Sequence, residues 1–188
     1  MTLGWFKKKE AEPAPTPAPT PAPIPVQPPA AARKALSIGR ILREELVVVP
    51  PAGIDKDALI AHLAKELCLK AGLGAHEPYL AKVLEREQGI STTLDTGLAV
   101  PHARMDNLPE ICAVLGLVPS GLKDPKQSDL TIRAMFLFFS PNRQEAFTQH
   151  LHLLRGVSTL FQPALIDAIL QDAAPAAVLK AIRDKEAS

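Results

Sequence analysis

Thr93-Leu94-Asp95-Thr96-Gly97-Leu98-Ala99-Val100-Pro101-His102 is a short apolar run that ends in an imidazole and continues into Ala103 and Arg104. Proline disfavours the helical region for the residue ahead of it, so Val100 is expected to be extended. Residues 97–100 then read as a strand that delivers His102 to its end. An unperturbed histidine pKa of about 6.5 leaves a neutral, nucleophilic ring nitrogen at physiological pH. His102 is therefore the first candidate site residue.

Outward from this run, strand and helix patterns alternate. Residues 46–49 read as a short strand. A helix starts at Ile54-Asp55 and continues to about Lys70, with Leu59, Ile60, Leu63, Leu67 and Leu69 as its apolar stripe and Gly72 ending it. A second helix follows Pro78 and runs to about Gln88, placing Arg86 near its C-terminal end. Residues 97–101, 111–118 and 132–139 have strand character, the last being the most hydrophobic segment. Beyond Pro141-Asn142 the pattern is helical through Phe161, and shorter helices fit 163–171 and 175–183. The expected class is α/β, a sheet covered by helices.

The helix over 144–161 sorts two histidines. At about 100° per residue, Phe147, Leu151, Leu154, Val157 and Phe161 share one arc with His150 inside it. His152 points the opposite way, with Thr148, Arg155 and Thr159. A metal reading of His150-Leu151-His152 fails on that geometry, and no Asp, Glu or Cys stands nearby at zinc spacing. From the residues alone, His150 is a core histidine donating to a backbone carbonyl or a member of the site around His102. His62 and His76 have no supporting pattern.

The spelling of residues 91–104, "STTLDTGLAVPHAR", resembles the active-histidine signature of the fructose/mannitol-type EIIA domains of the bacterial phosphoenolpyruvate-dependent sugar phosphotransferase system. That group (EIIA type-2) includes the nitrogen-regulatory EIIA proteins. Gly97, Ala99, Pro101 and His102 match its Gly-x-Ala-x-Pro-His segment. Arg86, ahead of His102, and His150, after it, stand where the family has an arginine and a second histidine close to the reactive ring. Ala103 departs from the glycine often found after the histidine. The resemblance spans roughly residues 36–182. It implies a mixed central β-sheet flanked by helices on both faces, the mannitol-type EIIA fold. It also implies a histidine that receives a phosphoryl group from the carrier HPr and hands it to an EIIB protein or domain.

On that basis residues 1–10 form a short tail, 11–33 a Pro/Ala-rich disordered linker and 34–188 the EIIA type-2 domain. Nine of the nineteen prolines fall in the linker, which excludes helix and sheet interior. Fully extended at about 3.1 Å per residue, it would span on the order of 60 Å. In the tail, Trp5 and Phe6 beside Lys7, Lys8 and Lys9 read as a disordered tail, or as a segment that docks on a partner or an anionic membrane surface.

Composition narrows the function. A formal net charge of +1 without a large basic block argues against nucleic acid as principal partner. Two cysteines, Cys68 and Cys112, are too few for a disulfide framework and read as reduced core thiols. No apolar run reaches the eighteen or so residues needed for a membrane span, and the N-terminal charge order is the reverse of a secretory signal. A cytoplasmic location is expected. There is no phosphate-cradling Gly-x-x-x-x-Gly-Lys loop and no dinucleotide fingerprint, so no cofactor is expected.

Phosphoryl chemistry explains the residue types. The attacking ring nitrogen must be unprotonated, so the other must donate its proton to a fixed acceptor. The transferred group is dianionic, and arginine's planar fork of donors suits its oxygens. Arg86 is the first candidate for that role and Arg104 the second; the alternatives are a helix-end cation and a solvated rim residue. Thr93, with Thr92 and Thr96, offers hydroxyls to phosphate or partner, or serves its own backbone. Leu98, Val100, Met105, Leu108 and Pro109 are the expected apolar rim. The readings that remain are a phosphohistidine carrier in sugar uptake, a nitrogen-type regulatory EIIA whose phosphorylation state is read by other proteins, and a non-catalytic binding module. No EIIB, EIIC or HPr-like region is recognisable, so a single-domain component is expected, which shifts weight toward the regulatory reading.

Overall fold

A computed structural model describes Met1 and residues 36–188. The linker at 11–33, the rest of the tail and the start of the domain at residue 34 lie outside the described residues. After a one-turn helix α1 (Ile38–Ile41) and a 3-10 turn (Glu44–Leu46) come β1 (Val47–Val48), α2 (Lys56–Ala71) and α3 (Glu77–Gln88). Then follow β2 (Leu98–Ala99), β3 (His102–Met105), β4 (Cys112–Lys123) and β5 (Thr131–Pro141). The chain ends in α4 (Gln144–Leu160), α5 (Pro163–Gln171) and α6 (Pro175–Glu186).

The strands form one mixed sheet. β4 and β5 pair antiparallel at its centre, β1 lies parallel to β4, and both β2 and β3 lie parallel to β5 on its other side. The sheet is covered on both faces. Leu98, Val100, Phe136 and Phe138 pack with α1, α4, α5 and α6, while Ala99, Ala103, Met135, Leu137 and Phe139 pack with α2 and α3. Alternation along each strand sends successive side chains to opposite layers. Phe136, Phe138 and Phe139 are fully buried, each stabilising the fold by roughly 2–3 kcal/mol.

Local signals explain the helix limits. The Asp55 carboxylate accepts from the Ala58 N–H at 2.8 Å and starts α2, and Gly72 ends it in the left-handed region at φ 67°. Proline in the first turn opens α5 and α6.

Four expectations need correction. The strand does not end at His102. It breaks at Val100-Pro101, where proline has no N–H to give, and resumes as β3, with His102 as its first residue. The register across the break is unchanged: Leu98 pairs Ala134, Ala99 pairs Met135 and His102 pairs Phe138. β2 and β3 are one edge strand in two pieces. Second, Leu69 is 71% exposed, because the stripe on α2 narrows to Leu59, Ile60, Leu63, Leu67 and Cys68. Third, the inward face of α4 is Ala146, His150, Leu153, Val157 and Leu160, so Phe147 and Leu151 stand about half exposed at 46% and 47%. Fourth, the strands outrun their apolar segments: β4 continues through a register shift to pair Leu122 with Ile132 and Lys123 with Thr131, and β5 continues to Pro141, pairing with β3.

Candidate functional site

Because β3 is the edge strand, α3 from one layer and α4 from the other both overhang it. Between them lies an open depression of about 360 Å³, lined by Arg86, His102, Arg104 and His150 together with Lys82 and Glu85. Four of the five residues singled out from sequence meet there. A roomier groove of about 530 Å³ beside α6 brings His152 near Arg155 and Lys185. Those three are exposed, and among the described residues none of their side chains is hydrogen-bonded.

His102 is half-buried and held on three sides. Its Nδ1 lies 2.8 Å from the Val100 carbonyl oxygen. A carbonyl only accepts, so Nδ1 carries the proton and Nε2 keeps its lone pair. The ring stacks on Phe138, centroids 5.3 Å apart and planes 15° from parallel, and meets His150 edge-on at 5.2 Å. Burial pushes the imidazole pKa below its ordinary value; the bond to Val100 opposes this and the Arg86 cation reinforces it. The ring is neutral at physiological pH.

His150 faces inward from α4, only 5% exposed, with Nδ1 2.7 Å from the Ser140 hydroxyl. Burial first, then the neighbouring His102 and Arg104, lower its pKa to about 4. The Arg104 guanidinium rests over the Phe147 ring, 5.1 Å from its centroid, and donates to the Arg143 carbonyl at 3.2 Å. Arg86 is exposed at the mouth and donates from Nη1 to the Ile90 carbonyl at 3.0 Å, which fixes its fork at the end of α3.

Thr93 is elsewhere. Its hydroxyl donates to Asp124 within a buried polar cluster that sequence reasoning missed. At its centre, the Lys56 ammonium lies 2.9 Å from both the Glu87 and the Asp124 carboxylates and 2.8 Å from Ser91 Oγ. Thr92 donates to the other oxygen of Glu87. The cluster ties the start of α2, the end of α3, the loop at 91–93 and the β4–β5 connection into one knot. Glu87 directly follows Arg86, so the knot fixes where Arg86 leaves its helix.

The expected rim also differs. Leu98, Val100 and Leu108 are core residues, Met105 is half-buried and Pro109 exposed. The exposed apolar side chain next to the depression is instead Phe147 of α4, under the Arg104 guanidinium that lines it. Cys68 and Cys112 are free, with burial pushing their thiols up to about 11 and about 12. Among the described residues no group of His, Cys, Asp and Glu is placed to hold a metal ion, and no single helix is long and apolar enough to cross a membrane.

Residues 40–185 match the family model described as the phosphoenolpyruvate-dependent sugar phosphotransferase system, EIIA 2. Similar solved structures include the nitrogen regulatory protein IIA-Ntr of Neisseria meningitidis, 19% identical, with a TM-score of 0.65 over 77% of this chain and 98% of that one. IIA mannitol of Escherichia coli is 20% identical, with a TM-score of 0.63 over 75% of this chain and 98% of that one. The complex of enzyme IIA-Mtl with phosphorylated enzyme IIB-Mtl, also from Escherichia coli, matches at 19% identity and TM-score 0.63, over 76% of this chain and 96% of that one.

Proposed function

Since this chain belongs to the EIIA type-2 family of the phosphoenolpyruvate-dependent sugar phosphotransferase system, we propose that His102 is its phosphoryl acceptor. The protein then takes the group from an HPr-like phosphocarrier in the cytoplasm and passes it to an EIIB partner. One observation carries the reading: the Val100 carbonyl holds the His102 proton on Nδ1, which leaves the lone pair on Nε2 of a ring that lines the depression. As the bond from Nε2 to phosphorus forms, the phosphorus–nitrogen bond to the donor breaks, and no proton has to leave His102.

The group arrives with two negative charges. Arg86 at the mouth and Arg104 on the same strand supply the compensating cations, and His150 a neutral donor. A depression this open cannot enclose its cargo. That suits a carrier, which must give the group away to a second protein using the same face. The half-exposed Phe147, under Arg104 at the edge of the depression, with the half-exposed Leu151 four residues further along α4, offers that face apolar surface beside positive charge.

The test is incubation with phosphoenolpyruvate, enzyme I and HPr, followed by assay for acid-labile label. We expect one label per chain, absent from His102→Ala. Label that survives the substitution overturns the assignment. Onward transfer to a sugar-specific EIIB identifies the transport role; label that stays on the protein in the presence of EIIB favours the regulatory one, the role carried in the name of the Neisseria relative.

A further inference from the structure

We propose that Ser140 is a positioning residue: it sets the tautomer of His150 so that this ring presents its Nε2–H to the phosphoryl group on His102. The inference rests on the reading of His102 as acceptor. It begins with the strand pattern. Along β5, the residues facing α4 are Ala134, Phe136 and Phe138, all core, and the row ends in Ser140, a fully buried hydroxyl.

Its oxygen lies 2.7 Å from His150 Nδ1, and two proton arrangements are open. If Nδ1–H donates to the hydroxyl oxygen, the hydroxyl proton needs an acceptor of its own. Among the described residues Ser140 Oγ has no second partner, and a buried donor left unmade is costly. If instead the hydroxyl donates to a bare Nδ1, both groups are satisfied. The second arrangement puts the ring's single proton on Nε2, and burial keeps the ring neutral.

The two imidazoles are thus opposite tautomers 5.2 Å apart. His102 is fixed by a carbonyl that accepts, His150 by a hydroxyl that gives. One ring exposes a lone pair and the other an N–H. With the tautomer of His150 reversed, its lone pair would face a dianionic group. A neutral donor has a further merit over a cation: it orients the phosphoryl oxygens without holding them so tightly that onward transfer slows.

The test is a long-range proton–nitrogen correlation spectrum of the unphosphorylated, 15N-labelled full chain. We expect His150 protonated on Nε2 and His102 on Nδ1. In Ser140→Ala, nearly isosteric and lacking only the hydroxyl, the His150 ratio should move toward Nδ1–H by roughly two- to tenfold, the worth of one neutral hydrogen bond. Acceptance of label from phospho-HPr should slow by a similar factor, and Ser140→Thr should restore both. A wild-type His150 protonated on Nδ1, or ring nitrogen shifts unmoved by Ser140→Ala, overturns the proposal. An altered tautomer with an unchanged transfer rate overturns its functional half. Wild-type protein that takes no label at His102 overturns the carrier reading instead, and the tautomer measurement, made without phosphate, tells the two failures apart.

Discussion

Replacing Lys56 with methionine should cost more stability than any substitution in the depression itself. The Lys56 side chain is 4% exposed, Glu87 7% and Asp124 0%, and the ammonium is the cation both carboxylates share. Removing one partner of a buried ion pair costs about 3–5 kcal/mol, because it strands the charge left behind. Here two are stranded. For a domain of this size that corresponds to a fall in Tm of roughly 6–20 °C. The pH dependence gives the sharper check. In the wild type, hydrogen bonds from Thr93 and Ser91 and the Lys56 ammonium hold the Asp124 carboxyl well below the usual range against the opposing effect of burial. Its stabilising contribution is present above the unfolded value near 3.9 and is lost only as the pH falls below it. In Lys56→Met the two facing carboxylates cannot both stay ionised cheaply, so one takes up a proton as the pH drops toward 4.5. The deficit against wild type should therefore be largest at pH 7.5 and shrink at pH 4.5, and Asp124→Asn added to Lys56→Met should recover part of it. Thermal melts followed by circular dichroism at both pH values decide it. A loss under about 1 kcal/mol, or a deficit equal at the two pH values, refutes the idea that a shared buried cation holds this knot.

Arg86→Ala should slow phosphoryl acceptance roughly 10²-fold, the scale of losing one preorganised donor, and Arg86→Lys should recover only part, since an ammonium lacks the planar fork; single-turnover labelling measures both. His150→Gln should flatten the fall of stability between pH 6.5 and about 4, because the unfolded histidine binds a proton there that the folded ring refuses. Urea midpoints at pH 7.5, 5.5 and 4.5 read this, and equal slopes for wild type and variant count against it. Gly116→Ala should destabilise by about 1–3 kcal/mol with labelling of His102 unchanged, since the added Cβ would stand 2.8 Å from Leu63 Cδ1 in the packed layer between β4 and α2. A melt within a degree of wild type would show that Leu63 moves aside freely.

What could be read in the chain was what local chemistry decides. The first long helix is bounded by an aspartate cap and a left-handed glycine, and residues 163–171 by a leading proline, so both were legible to within a residue or two. The inward position of His150 followed from helical spacing. The width of its stripe did not: Phe147 and Leu151 are as apolar as Leu153, and only the placement of the sheet edge decides that they stay outside. The Lys56 cluster was invisible because its members come from four separate segments, and because buried lysine and glutamate look like surface residues until a partner is found for each. Thr93 illustrates the same limit, its hydroxyl being engaged by an aspartate thirty-one positions away. Ser140 had one signal, a lone polar residue closing the most hydrophobic run.

The unbroken register across Val100-Pro101 has a consequence for how this segment tolerates change in length. Side chains on an edge strand alternate between layers, so one added or deleted residue between Gly97 and His102 would turn the imidazole toward Leu67 and Phe139, away from His150. Variation there is confined to even steps.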